Sequence, residues 1–470
     1  MTTDLLPHQV APAEKFRRLR VGALLMDPGT GKTRVMIDLL HRRQARLKRV
    51  VWFAPVGAVH TIRQEWLKHT TLRPEDVHVF GARTRGGRLP DALVHIVGSE
   101  SLSSSRRVTL AVAELIGPDT AAVFDESDQF RTPWAMRARR AEVFARGCGH
   151  RFLLTGTFAN EGLPDVYQQF RLLDPAIIGY TSWYAFSRAH LVYSETQPGR
   201  ITHTNDPELI AARIAPYVFE FSRDELHALP PVLHDTQYCA LTDTQWEAYA
   251  QAKDEFLNQE LERGESTLSD IRRLFTALQT IAAGYWNRRH RRTGVVQHLE
   301  FPSRRLALLE SALDALPPGD RVVIWCKYTR SVQLVAELLR ARGATVAEYH
   351  GEVSEADRAV NLEAFRTGRA QYLIGTPGTG GRGLNELSGT SWAVFFETSF
   401  KARERAQAES RLLGLRAQGR VTLIDLIADC PIEHRIHEAL ARKESACAAF
   451  LRELNASRLH GTQEALLRGL

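Results

Sequence analysis

Short apolar runs rich in β-branched residues alternate with longer polar or amphipathic stretches in two separate parts of the chain. The first series extends from Val21 to about Pro175, and the second extends from Arg321 to about Ala428. The runs are VGALLM, VVWFAP, LVHIVG, AAVFDE and RFLLTG, then RVVIWC, TVAEYH, QYLIGTP, WAVFFE and VTLIDLI. Strand-like runs that alternate with helix-like stretches predict a parallel sheet with helices on both faces. We therefore predict an α/β chain with two parallel-sheet domains in tandem.

The segment between the two series loses this rhythm. Residues 176–305 are mainly helix-like in pattern, as in DTQWEAYAQAKDEFLNQELERG and LSDIRRLFTALQTIAAGYW. We predict three parts: a first α/β domain at 1–175, a helical insertion and linker at 176–305, and a second α/β domain at 306–470 that ends in helices.

The composition is that of a globular protein, with 44% apolar and 24% charged residues among 470. Lys and Arg number 61 against 54 Asp and Glu, and this excess of +7 favours a polyanionic partner. The five cysteines lie far apart without a CxxC pair, which argues against a disulfide framework or zinc site. The start lacks a signal-peptide pattern, and no apolar run approaches the roughly 18 residues of a membrane span. We expect a cytoplasmic or nucleoid-associated protein, neither secreted nor membrane-bound.

A glycine-rich segment joins the first apolar run to the helix-like RVMIDLLHRR and reads Met26-Asp27-Pro28-Gly29-Thr30-Gly31-Lys32-Thr33. A strand, a glycine turn and a helix amino terminus form the usual cradle for phosphates. The backbone of Gly29, Thr30 and Gly31 would face the phosphates, Lys32 would reach the outer ones, and Thr33 would ligate magnesium. Met26 stands where the strict GxxxxGK[ST] pattern has glycine. The plainer alternative is an ordinary strand-turn-helix with a surface lysine.

A pair of carboxylates ends another run of the first series, AAVFDESD. Asp125 would hold magnesium, and Glu126 would polarise the water that attacks the outermost phosphoryl group. An Asp-Glu pair after an apolar run also commonly caps the next helix. Its occurrence in the same α/β domain as the glycine-rich segment favours the catalytic interpretation.

The stretch RFLLTGTFANEGLPDVYQQFRLLDP at 151–175 completes a resemblance to the Snf-type ATPases of helicase superfamily two. LPPVLHDTQYCALTDTQWEAY at 229–249 is similar to a segment rarely found in other helicases, and VVWFAPVGAVHTIRQEWLKH resembles the family's first DNA-strand motif. HQV resembles the adenine-reading motif and would place Gln9 beside the base. Asp128 departs from the family, which usually has histidine there, and this puts the coupling of hydrolysis to movement in question.

The second series carries matching motifs. RVVIWCKYTRSVQLVAELL and YHGEVSEADRAVNLEAFRTG resemble the fourth motif and the stretch after it, and TPGTGGRGLNEL resembles the fifth motif with Gly383 at the nucleotide. QAESRLLGLRAQGRV resembles the sixth, in which Gln407 and Arg411 fit but Gly414 replaces the arginine that stabilises the transferring phosphoryl group. Either Arg416 reaches the site, which we favour, or Arg411 acts alone.

The resemblance implies two RecA-like domains with ATP and Mg²⁺ bound between two half-sites, and a DNA-dependent ATPase that translocates on duplex DNA. Double-stranded DNA is the expected partner, RNA is less favoured, and a protein partner would supply targeting. The alternatives are a strand-separating, annealing or branch-migrating helicase and, in another class, a nucleotide-switched nucleic-acid-binding protein that hydrolyses little ATP. The residues expected to track the strand are the loop from Ser99 to Ser105, Lys327, Thr329, Thr376 and Thr379.

Two basic clusters complete the sequence features. Arg83, Arg85 and Arg88 lie in a glycine-rich loop, and Arg288, Arg289, Arg291 and Arg292 follow Trp286 in the middle segment. Arginine beside an aromatic residue suits nucleic-acid contact. The alternative is a solvated helix end followed by a loop.

Overall fold

The structure of the chain, a computed structural model, has two units, Met1–Ala228 and Leu229–Leu470. Each unit contains its own sheet of parallel strands. The structure describes residues 1–156, 162–193, 201–222, 225, 232–263, 266–289, 293–380, 387, 389–413, 420–442, 446–459 and 462–470. The predicted α/β fold class with two parallel-sheet domains is confirmed.

The first unit is built from nineteen α-helices and β-strands within its described residues. They are α1 (Pro7–Phe16), β1 (Val21–Met26), α2 (Lys32–His41), β2 (Arg49–Ala54), α3 (Val59–His69), β3 (Val77–Val79), β4 (Val94–Gly98), α4 (Ser101–Ser104), α5 (Arg106–Ala113), β5 (Thr120–Asp125), α6 (Met136–Gly147), β6 (His150–Thr155), α7 (Leu163–Leu173), α8 (Pro175–Ile178), α9 (Trp183–His190), β7 (Leu191–Tyr193), β8 (Ile201–Thr204), α10 (Pro207–Ile214) and β9 (Val218–Phe221). The main sheet has the order β3-β4-β2-β5-β6-β1-β9 with every pair parallel, and β7 and β8 form a small antiparallel pair.

The continuous apolar runs of this sheet follow from burial on both faces. Ala122 and Phe124 of β5 pack into one core, whereas Ala121 and Val123 pack into the core on the other face. Because successive side chains of a strand point to opposite faces, a strand covered by helices on both sides must be apolar throughout.

The second unit begins with an edge strand and ends with helices. Its elements are β10 (Val232–Cys239), α11 (Asp243–Arg263), α12 (Leu268–Ala283), β11 (Tyr285–Arg289), β12 (Val296–Glu300), α13 (Arg304–Asp314), β13 (Val322–Trp325), α14 (Thr329–Ala341), β14 (Val346–Tyr349), α15 (Glu355–Arg366), β15 (Tyr372–Gly375), α16 (Pro377–Gly380), β16 (Trp392–Phe395), α17 (Ala402–Leu412), β17 (Val421–Ala428), α18 (Pro431–Ala441), α19 (Ala446–Leu459) and α20 (Gln463–Arg468). The main sheet has the order β10-β17-β16-β13-β15-β14, again all parallel. The last helices pack with α11 and α12 in one apolar core.

The middle segment predicted at 176–305 contributes to both units, and the three-part division stays a prediction. Its first part supplies β9, which pairs with β1 and so extends the first sheet beyond residue 175. Its second part supplies β10, an edge strand of the second sheet, and an antiparallel hairpin of β11 and β12. In the described residues, no helix has the length and apolar character needed to cross a membrane.

Candidate functional site

The glycine-rich segment connects β1 to α2, as the sequence predicts. Gly29 and Gly31 adopt φ angles of 84° and 90°, in the left-handed region where a Cβ atom costs free energy. Gly31 is the residue that precedes α2, so the positive φ angle sets the direction in which the helix begins. The loop thus presents the amino terminus of α2, where unpaired backbone N–H groups favour an anion.

Lys32 is held by the loop's own carbonyl groups. Its Nζ donates to Met26 O at 2.6 Å and to Asp27 O at 3.3 Å. Thr30 Oγ1 donates to the same Asp27 oxygen at 2.7 Å. A bound phosphate would take over the ammonium group from these neutral acceptors, because a charge-assisted hydrogen bond is stronger.

The first helix braces the loop from the other side. Gln9 is buried, and its amide donates to Thr30 O at 3.2 Å while its oxygen accepts from Leu6 N at 3.1 Å. His8 Nε2 lies 2.9 Å from the same Thr30 oxygen, and its ring stacks on Phe221 at 5.1 Å between centroids. Gln9 therefore has a structural contact with the loop, and its reading of adenine stays a prediction.

Strand β9 is fastened to the loop as well. Asp27 N donates to Phe221 O at 3.2 Å, and Ser222 Oγ donates to Asp27 Oδ2 at 3.3 Å. These contacts could not be predicted from the sequence, because the partners lie far apart along the chain, with a separation of 195 positions for the second pair.

Asp125 and Glu126 lie at the carboxyl end of β5, on the same sheet edge as the glycine-rich segment. Trp52 Nε1 donates to Asp125 Oδ2 at 3.4 Å, and Glu126 N donates to Asp125 Oδ1 at 3.0 Å. Burial and then the adjacent Glu126 carboxylate raise the pKa of Asp125 to about 7, and the charge of Lys32 opposes this rise. Lys32 and Asp125 are therefore close enough to interact electrostatically.

This arrangement fits a magnesium ion. The buried Asp125 carboxyl, whose pKa is raised, gains from a nearby cation, which favours its ionised form. Thr33 lies in the first turn of α2, directly after Lys32. Asp125 and Thr33 would hold the ion, as the sequence predicts.

The segment after Glu126 is tied to α7. Ser127 Oγ donates to Gln169 Oε1 at 2.7 Å, and Arg131 Nε lies 3.6 Å from Asp165 Oδ1. Asp128 lies in the same 3-10 turn, Ser127–Phe130. A polar connection thus runs from the carboxylates to the helix that follows the LTGT segment.

Two residues of the sixth motif, Gln407 and Arg411, lie on α17 in the second unit. Gln407 is buried on this helix, and Arg411 lies one turn further on and is half-buried. Arg405 is a neighbouring structural residue that bonds to Glu409 and Asp425. Gly383, Gly414 and Arg416 lie outside the described residues.

The predicted loop from Ser99 to Ser105 requires a correction. Ser99 is fully buried at 0% exposure, and Ser101–Ser104 forms the one-turn helix α4. Ser105 Oγ accepts a hydrogen bond from Val108 N and so caps α5. The segment is therefore mostly helical and is not an open loop. Only Ser103 and Ser104 of the segment are exposed. These two serines, rather than Ser99, are therefore accessible for contact with a nucleic-acid strand.

Lys327 follows β13, and its side chain is engaged within the second unit. Its Nζ donates to Gln279 Oε1 at 2.8 Å and lies over the rings of Tyr328 and Phe400. Burial lowers the pKa of Lys327 well below its ordinary value. The lysine is thus partnered by α12, and a phosphate contact would have to displace Gln279.

The remaining track residues occupy strand ends and helix starts. Thr329 is the first residue of α14, and Thr376 follows β15 with its N–H donating to Tyr349 O at 3.3 Å. The side chain of Thr379 lies outside the described residues. Contacts of these threonines with nucleic acid stay predictions.

The described part of the basic cluster after Trp286 lies in a β-strand rather than at a helix end. Arg288 and Arg289 belong to β11, which pairs antiparallel with β12. Arg288 forms an ion pair with Glu255 and lies over the Trp286 ring, whereas Arg289 is exposed. Arg291 and Arg292 lie outside the described residues.

Comparison with known proteins identifies the core of the second unit. Residues 305–413 match the family described as helicase conserved C-terminal domain. The predicted resemblance to helicase motor cores is thereby confirmed for this part of the chain.

The chain is also similar to curated proteins over a short part of its length. The chain is 34% identical over 91 residues to the ATP-dependent RNA helicase dbp3 of Neosartorya fischeri. This alignment covers 19% of the chain and 18% of the relative. The chain therefore spans less than a fifth of the length of this relative.

The fold of the chain is similar to that of a solved helicase domain. The Hef helicase domain of Pyrococcus furiosus aligns with 92% of this chain and 97% of its own at 12% identity, with a TM-score of 0.54. The SWI2/SNF2 ATPase core of Sulfolobus solfataricus, solved in complex with dsDNA, aligns with 94% and 92% at 18% identity, with a TM-score of 0.45. The Hef likeness agrees with the tandem RecA-like fold predicted from the sequence.

Proposed function

We propose that the protein is an ATP-hydrolysing motor of the Snf type that translocates on duplex DNA. The observation that carries the proposal is the constellation of Lys32, Asp125 and Glu126 on one edge of the first sheet. A glycine loop, a lysine and two acidic groups at the end of a strand are the parts that phosphoryl transfer requires.

Each residue of the site would have a distinct role in ATP hydrolysis. The loop from Gly29 to Lys32 binds the phosphates, and Glu126 orients and polarises the attacking water. Magnesium held by Asp125 and Thr33 would supply positive charge next to the outer phosphates. Arg411 and Arg416 of the sixth motif would stabilise the negative charge of the transferring group.

Movement would follow from different affinities of two conformations for ATP and its products. A bound nucleotide shifts the equilibrium between the two conformations only as far as its affinities for them differ. Such a motor is expected to bind the sugar-phosphate backbone, because contacts with the backbone do not depend on the base sequence.

Duplex DNA is the favoured track because of the Snf-type segments at 151–175 and 229–249. RNA is the main competitor, since the dbp3 relative is an RNA helicase. The test compares steady-state ATP hydrolysis with single-stranded DNA, duplex DNA, forked DNA and RNA. We expect the largest stimulation with duplex DNA, and the absence of stimulation by duplex DNA would overturn this choice.

Gly414 favours a second candidate, a nucleotide-switched binding protein, because it replaces the expected arginine finger. Lys32→Ala is the control that separates the two functions. Wild-type hydrolysis indistinguishable from that of Lys32→Ala, with and without nucleic acid, would favour the switch over the motor.

A further inference from the structure

An arginine-rich loop, residues 81–91, joins β3 to β4 in the first unit. The side chains of Arg83, Arg85 and Arg88 are all exposed. Within the described part of the chain, none of these three guanidinium groups takes part in an ion pair. Among the described residues, these three positive charges thus face solvent without an ion-pair partner.

The loop is fastened along α5 by specific contacts. Gly87 N donates to both carboxylate oxygens of Glu114, at 3.0 and 2.8 Å. Arg107 Nη2 donates to Gly81 O at 3.3 Å, close to the start of the same helix. Because its backbone is held in two places, the loop presents its arginines with less conformational entropy to lose on binding.

The fastened loop adjoins the segment that the sequence predicts to touch a nucleic-acid strand. Helix α5 begins at Arg106, which is exposed and follows directly on Ser105. Exposed Ser103 and Ser104 precede it at the carboxyl edge of β4. The two serines and Arg106 thus lie at the start of the helix to which the loop is bonded.

The chemistry of this surface favours a nucleic acid over an acidic protein. All of residues 81–91 are described, and none of them is an exposed large apolar residue of the kind that anchors protein interfaces. Guanidinium groups match phosphate oxygens in geometry and charge, and contacts with phosphates need no base-reading groups.

We propose that loop 81–91, together with Arg106, is an accessory grip for the sugar-phosphate backbone of duplex nucleic acid. This inference rests on the proposed function and extends its binding surface beyond the predicted track residues. The grip would add affinity that is independent of base sequence and falls steeply with salt.

The test measures the salt dependence of binding to a duplex of about 20 base pairs for the triple variant R83Q/R85Q/R88Q. Each lost phosphate contact lowers the log-log slope by about 0.9, so we expect a decrease of up to about 2.7. The matched control is R18Q/R20Q/R46Q, which removes three exposed arginines that precede β1 and β2 and are not part of the loop. Thermal midpoints of both variants check that they are folded.

A slope for R83Q/R85Q/R88Q equal to that of the control and of the wild type would overturn the inference alone, provided that duplex stimulates wild-type hydrolysis. Wild-type protein that neither binds nor responds to any nucleic acid would overturn the proposed function and the grip together. Binding of polyglutamate that is lost in the loop variant, with unchanged binding of duplex, would assign the loop to acidic proteins and also refute the proposal.

Discussion

Glu126 combines a proposed catalytic carboxylate with an unusual backbone. Its φ and ψ angles are 50° and 56°, in the left-handed region that non-glycine residues seldom adopt. Such a conformation costs on the order of 1–3 kcal/mol and persists where the surroundings impose it. Here the strand end at Asp125 and the 3-10 turn bonded to α7 through Ser127 fix the chain on both sides.

Glu126→Gln should lower ATP turnover by about 10²–10⁴-fold, because an amide cannot accept a proton from water. Binding of ATP should be retained, because the glycine loop and Lys32 are intact. Turnover and nucleotide affinity are measured separately, by phosphate release and by a fluorescent nucleotide. Glu75→Gln, at an exposed carboxylate of the same unit, is the control. Turnover close to that of wild type would remove Glu126 from the proposed mechanism.

His95 makes the stability of the first unit dependent on pH. It is fully buried on β4, and burial lowers its pKa from 6.5 to about 4. Since the unfolded chain binds this proton more tightly, stability is complete above about pH 6.5 and falls as the pH drops towards 4, by up to ~1.4 kcal/mol per pH unit. Urea unfolding of His95→Gln should show a shallower pH dependence than wild type between pH 6.5 and 4.5. Equal slopes would contradict the assignment.

At the residue scale, the sequence was sufficient where a motif is local. The glycine loop, Lys32 and the Asp125-Glu126 pair occupy the predicted strand ends. It was insufficient where a side chain is defined by a distant partner. Ser99 was expected on an open loop but is enclosed, and the contact of Lys327 with Gln279 depends on packing that no spacing reveals.

At the scale of elements, two glycines that follow helices differ in how much space surrounds them. Gly284 follows α12 with φ 112°, and Gly343 follows the end of α14 with φ 76°. A Cβ at Gly284 would lie 2.8 Å from Ser303 Cβ, whereas a Cβ at Gly343 would meet nothing within 4 Å.

Gly284→Ala should therefore destabilise the protein more than Gly343→Ala. Both variants force alanine into a positive φ at a cost of roughly 1–2 kcal/mol, and only Gly284→Ala adds a clash. Chemical denaturation followed by circular dichroism gives the two losses. Equal losses would mean that the β12–α13 connection yields to the new methyl group without cost.

The prediction of elements succeeded where burial is two-sided and failed for short exposed strands. Continuous apolar runs such as AAVFD could be recognised, because both faces of β5 are covered by helices. Strands β9 and β11 were missed because half-exposed or arginine-rich segments gain their strand conformation from pairing with β1 and β12.

At the scale of the whole molecule, the proposed mechanism requires groups from both units. Arg416→Ala should lower nucleic-acid-stimulated hydrolysis by about 10³–10⁵-fold while ATP binding by the first unit is retained, because an arginine finger acts on the transition state. Arg420→Ala, at an exposed arginine before β17, is the control. Unchanged turnover in Arg416→Ala, with turnover abolished in Arg411→Ala, would show that Arg411 acts alone.

The pairing of β9 with β1 has a practical consequence for any attempt to produce the first unit by itself. The boundary at residue 175 predicted from the sequence would remove β9 and turn β1, the strand that leads into the phosphate loop, into an unprotected sheet edge. Exposed edges of this kind recruit strands from other molecules. A fragment that ends at residue 175 should therefore self-associate and precipitate, and one that extends through Phe221 should remain monomeric.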